Sequence, residues 1–131
     1  TASITIASSD IIPGMAMNYY KTATLNKAGG CVGLEKIMSG TVEYTSTSAQ
    51  TLLDQSALSV TADKANKLYI KNLSTDTTEY ATITVNSEDL GRLYAGDWLF
   101  IPWSAEDSGA DVKITPSVAT SMKFDYVLVH E

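Results

Sequence analysis

Only a few residue types in this 131-residue chain could carry chemistry: one histidine, one cysteine and 15 carboxylates. Nucleophilic catalysis by a Ser or Cys needs a general base within reach. The single histidine, His130, stands next to the last residue, where a solvated tail residue is expected rather than a base. No Gly-x-Ser-x-Gly elbow occurs. Cys31 lies in a glycine-rich stretch and is expected to be a small buried hydrophobe, unable to form an intramolecular disulfide for want of a second Cys. Zinc wants several Cys or His ligands, and the chain has one of each. Calcium could draw on Glu106, Asp107 and Asp111, or on Asp76 and Glu79, but neither group has EF-hand spacing and both are expected as solvated turns. Gly29, Gly30 and Gly33 invite a phosphate-loop reading that fails, because no Gly-Lys-Ser/Thr follows. No pair of carboxylates stands out for glycoside hydrolysis. The expectation is a protein that is not an enzyme and has no metal or cofactor.

The aromatic residues are better candidates, for recognition. Trp98 and Trp103 flank Leu99-Phe100-Ile101-Pro102. Five positions apart, they fall on opposite faces of a strand, so one is expected in the core and the other exposed or at an interface. Tyr19 and Tyr20 offer a similar split. An exposed ring could also stack on a sugar, which keeps a glycan among the possible partners.

The elements that must position these residues read as strands. Lys67–Leu73, Glu79–Val85, Asp97–Trp103, Asp111–Ile114 and Ser121–His130 are rich in β-branched and aromatic residues and are bounded by Asn, Asp, Ser and Gly. Leu68 and Ile70 share one face, as do Ala81, Ile83 and Val85, and Phe124, Tyr126 and Leu128. Pro102 cannot donate to a ladder, so its strand ends there or lies at an edge. Leu90–Ala95 leads into a Gly96-Asp97 turn. Upstream, Ser3–Ala7, Met15–Asn26 and Thr41–Thr47 alternate as strands do. Pro13-Gly14 is a turn, Lys27–Gly40 is expected to be mostly loop, and Gln50–Leu58 is the one helical candidate, with Ala57–Ala62 as a rival strand. These runs predict an all-β, antiparallel two-sheet sandwich of about eight or nine strands, jelly-roll-like, with at most one short helix. An immunoglobulin-like sandwich is the competing arrangement. Residues 1–12 form an N-terminal arm or first strand, and 13–131 a single β-sandwich domain.

Composition excludes some partners. The net charge is −6 and the cations are scattered, so the chain lacks the basic footprint that nucleic-acid binding requires. No apolar run approaches the ~20 residues of a membrane helix. The first residues have neither a basic stretch nor an apolar core, so no secretory signal is expected. Ser and Thr make up nearly a quarter of the chain, a texture common in extended β structures and virion proteins.

Three segments together resemble tailed-bacteriophage capsid decoration (cement) proteins. They are Leu68-Tyr69-Ile70-Lys71-Asn72-Leu73-Ser74, the run from Leu93-Tyr94-Ala95-Gly96-Asp97 through Trp98-Leu99-Phe100-Ile101-Pro102-Trp103, and the closing Phe124-Asp125-Tyr126-Val127-Leu128-Val129. The pattern covers about half of the chain. The resemblance implies a homo-oligomeric sandwich, often trimeric, made in the host cytoplasm and seated on the capsid exterior against the major capsid protein. It also implies an amino-terminal arm that orders on a partner, for which Ile4, Ile6, Ile11 and Ile12 are the apolar anchors. Together with Tyr19, Tyr20, Trp98 and Trp103 they make up the candidate interface. A tail, head-fibre or receptor-binding virion module, or a carbohydrate-binding module, are the alternatives.

Overall fold

A computed structural model of the chain describes residues 2–12, 15–105 and 111–131. Ten strands and one helical turn follow in order: β1 (Ala2–Ile12), β2 (Met15–Ala23), β3 (Lys36–Tyr44), β4 (Gln50–Leu53), α1 (Gln55–Leu58), β5 (Asn66–Asn72), β6 (Tyr80–Val85), β7 (Glu88–Tyr94), β8 (Trp98–Trp103), β9 (Val112–Pro116) and β10 (Met122–His130). The last eight strands form two antiparallel four-stranded sheets, β3-β10-β5-β8 and β4-β9-β6-β7. Successive strands switch sheets at every step except the β6–β7 hairpin, and first and last strands lie side by side. This is the jelly-roll arrangement of two Greek keys, which settles the choice against the immunoglobulin topology. Among the described residues β1 and β2 pair only with each other, as a two-stranded ribbon.

The alternation seen in the sequence becomes the core. Leu68 and Ile70 of β5, Phe124 and Leu128 of β10, Ile83 of β6 and Ile114 of β9 are completely or almost completely buried between the sheets. Buried Asn72 ties the sheets together: its Nδ2 donates to the Leu93 carbonyl of β7 (3.1 Å), and its Oδ1 accepts from the Ser74 amide (2.9 Å). Gly40 is required by a close approach, since a Cβ there would stand 3.1 Å from the Tyr126 ring across the β3–β10 ladder. Burial, with Tyr126 adding to it, pushes the Tyr44 phenol above its ordinary pKa.

Several expectations need correction. Leu90–Ala95 is not a lead-in but most of β7, whose Glu88, Asp89, Gly91 and Arg92 are exposed because only Leu93 faces the core. A bulge in the β6–β7 register falls beside Gly91, where φ of +141° disfavours any side chain. Lys27–Gly40 is loop only to Glu35; its last five residues open β3. The helical candidate divides into β4 and a single turn, α1, capped by the Asp54 carboxylate accepting from the Ser56 and Ala57 amides. Ala57–Ala62 forms no strand. β1 (Ala2–Ile12) pairs with β2, which joins no sandwich strand among the described residues. The Pro13-Gly14 turn lies outside the described residues.

Candidate docking surface

The two tryptophans divide as strand geometry requires. Trp103 is 1% exposed, its indole N–H donating to Asn86 Oδ1 at 3.2 Å, whereas Trp98 is 44% exposed. Trp103 is therefore a core residue, and this takes it off the candidate interface. Trp98 shares the outer face of β8 with Phe100 (42% exposed) and Pro102. Register sets these directly across from Lys71, Tyr69 and Lys67 on the outer face of β5. The Tyr69 and Trp98 rings lie 6.2 Å apart, tilted by 32°. One row further, Val127 and Val129 of β10 continue the face, and Ile37 of β3, 71% exposed, ends it. The result is an aromatic and aliphatic band across one sheet, flanked by lysines.

The base of the β1–β2 ribbon adjoins this band. Between them lies an open cavity of about 370 Å³, with Tyr69, Trp98 and Phe100 on one side and Ile4, Lys21, Ala23 and Leu25 among the residues on the other. Ile4 is thus placed at the cavity, half-buried. Tyr19 and Tyr20 do not divide as the tryptophans do: both are exposed on β2, with the Lys21 ammonium 5.8 Å from the Tyr19 ring centre. The side chains of Ile6, Ile11 and Ile12 lie outside the described residues.

β8 is an edge strand, and its residues bond alternately toward β5 and toward the free edge. The Asn72 amide donates to the Asp97 carbonyl (2.9 Å) and the Gly96 amide to the Asn72 carbonyl (3.1 Å), while the amide of the next residue, Leu73, donates the other way, to the Lys123 carbonyl of β10 (2.8 Å). Even-numbered residues of β5 therefore bond toward β8, and their partners Leu99, Ile101 and Trp103 bond back. Trp98, Phe100 and Pro102 turn their backbone groups to the free edge. Proline is tolerated there because its missing N–H faces no strand.

The titratable candidates are dispersed. Cys31 is exposed in the loop before β3, contrary to the expectation of burial. His130 is not a solvated tail residue: it is half-buried as the last residue of β10, paired with Lys36. Asp76 closes its own turn by accepting from the amide and hydroxyl of Thr78, which holds its pKa below the ordinary range. Glu79 accepts from Ser74 and, more weakly, from Thr120. Glu106 and Asp107 lie outside the described residues, and Asp111 pairs with Lys113 at 3.7 Å. Among the described residues no three His, Cys, Asp or Glu side chains gather as a metal site would require. No described helix is long and apolar enough to cross a membrane.

Fold and surface together define a jelly-roll β-sandwich with a ribbon beside an exposed aromatic band. No protein-family model and no curated protein matches the chain. Among solved structures, it is similar to the cupin domain of Schizosaccharomyces pombe Cnp3 at 14% identity, over 98% of this chain and 84% of that one, with a TM-score of 0.47. It is also similar to a cupin protein of Bacteroides fragilis at 14% identity, over 84% and 79% of the two chains, with a TM-score of 0.37.

Proposed function

We propose that this chain is a non-catalytic capsid decoration protein that binds the outer surface of a tailed-phage head as a homo-oligomer, a trimer by resemblance. The observation that carries the reading is the band of Tyr69 and the exposed Trp98 and Phe100 on one sheet, with the base of the ribbon beside it. Apolar patches of this kind, rimmed by charge, mark interaction surfaces. Stabilisation needs no reactive group: a ligand that binds only the assembled shell favours that shell by mass action. The major capsid protein is the partner, and the capsid exterior the location.

The test is co-sedimentation with undecorated shells assembled from the major capsid protein of the same genome, with solution mass measured by light scattering. Saturable binding by a species near three times 14.0 kDa is expected. No binding at micromolar concentration would overturn the reading. A second reading, a glycan-binding module, is favoured by one feature: the Trp98 and Tyr69 rings adjoin the hydroxyls of Ser3, Thr5 and Thr22 around the cavity. A glycan array separates the two.

A further inference from the structure

The lysines around the aromatic band are unusual in this acidic chain. Lys27, Lys64, Lys113 and Lys123 each reach a carboxylate within 4 Å. Among the described residues Lys21, Lys36, Lys67 and Lys71 reach none, and three of these four border the band. Lys21 lines the cavity, Lys71 lies directly across from Trp98, and Lys67 directly across from Pro102. Asp125, cross-strand from Lys71, accepts from the Thr41 hydroxyl and makes no ion pair with that lysine. Among the described residues, a chain of net charge −6 thus leaves three cations at one apolar surface without an ion pair.

The same surface offers free backbone. Trp98 and Phe100 present an N–H and a C=O at the β8 edge, and Pro102 a C=O, with no partner among the described residues. Natural proteins blunt such edges with charge, proline or bulges. β7, the corresponding edge of the other sheet, carries a bulge and the acidic pair Glu88 and Asp89. The first residues of β8 carry none of these.

We infer that the β8 edge is a strand-addition site for an extended, acidic segment of the capsid protein, one apolar side chain of which fills the cavity. The inference rests on the reading of this face as the docking surface and names the chemistry of its partner. Strand addition satisfies the Trp98 and Phe100 backbone, alternate side chains of the added strand fall on the outer face, and carboxylates there meet Lys21, Lys67 and Lys71. A peptide suits the cavity better than a sugar. Its lining is mainly apolar, and among the described lining residues there is no Asn, Asp, Gln or Glu to bind sugar hydroxyls.

A displayed library of random peptides about twelve residues long, panned on the folded protein, tests this. The expected selection alternates Asp or Glu with apolar residues, and affinity for the selected peptide falls about tenfold in the K67E/K71E variant. Phe100→Ala removes the ring but keeps the edge N–H, whereas Phe100→Pro removes both. Since that N–H faces the free edge, Phe100→Pro leaves the β5 ladder intact, and a melting curve verifies that it folds. Phe100→Pro is expected to bind about tenfold more weakly than Phe100→Ala. Selected peptides without acidic enrichment, equal affinities for the two Phe100 variants, or capture of heparin in place of any peptide would overturn the inference. Shell binding with no selected acidic peptide overturns the strand-addition inference alone. Acidic peptides with no shell binding retain strand addition and overturn the decoration reading.

Discussion

Replacing each tryptophan by alanine separates what folds this protein from what it binds. Trp103 is 1% exposed, and its indole N–H is bonded to Asn86, which also donates through Nδ2 to the Ser104 carbonyl at 2.6 Å. Its ring thus packs the core while fixing the β6–β7 turn to the end of β8. Trp103→Ala removes that volume and strips Asn86 Oδ1 of its partner, a loss of about 3–5 kcal/mol. For a chain of this size that is a fall in Tm of roughly 10–20 °C. Trp98 is 44% exposed and among the described residues its one ring partner is Tyr69, so Trp98→Ala costs about 1 kcal/mol, or roughly 3–5 °C. Thermal and urea melts followed by far-UV circular dichroism give both values. Fluorescence provides an internal control: in Trp98→Phe the remaining emission should be blue-shifted, and in Trp103→Phe red-shifted. Shell binding should follow the opposite order, with Trp98→Ala folded but weakly bound. Equal destabilisation by the two alanines, or a Trp103→Ala variant that melts like the parent, would refute the reasoning.

Other parts of the account can be checked in the same way. Asn72→Leu leaves the buried Leu93 carbonyl and the Ser74 amide without their partner, and urea melts should show a loss of about 2–4 kcal/mol. Gly40→Val should cost about 1–3 kcal/mol by driving Tyr126 from its place on β3, and Tyr126→Ala in the same chain should recover part of it. Glu131 accepts from the Ala28 and Ala65 amides (2.6 and 3.2 Å) and pairs with Lys64 at 3.2 Å, and the Ala28 bond foremost holds its pKa below the ordinary range. A lowered folded-state pKa means stability that is present above the unfolded value, about 4.3, and lost as pH falls through the folded one. Acid titration of the melt should therefore show a decline below about pH 4 that is shallower in Glu131→Gln.

What was legible in the sequence was the alternation of strands buried on one face. Leu68 and Ile70, Ala81 and Ile83, and Phe124 and Leu128 face the core as their spacing requires, and the five-residue separation of the tryptophans gave their split. Strands without that signal were missed. β7 reads as charge and glycine because only Leu93 of it is buried, and the start of β3 was hidden by Gly40, a glycine present for the Tyr126 ring rather than for a loop. The candidate surface was half legible. Trp98 could be named, but Lys21, Lys67 and Lys71 join it only through the β5–β8 register and the position of the ribbon, and neither is a local property of the chain. Cys31 was misjudged because the tendency of cysteine to be buried says nothing about whether a given loop has anything above it.

The most direct test of the account is a cryo-electron microscopy map of shells mixed with the protein, at a resolution that shows side chains. The account predicts oligomers on the outer surface with the Tyr69, Trp98 and Phe100 face against the shell and a capsid segment running along β8. Bare shells, or oligomers held by β7 or the loops with Trp98 facing solvent, would contradict it.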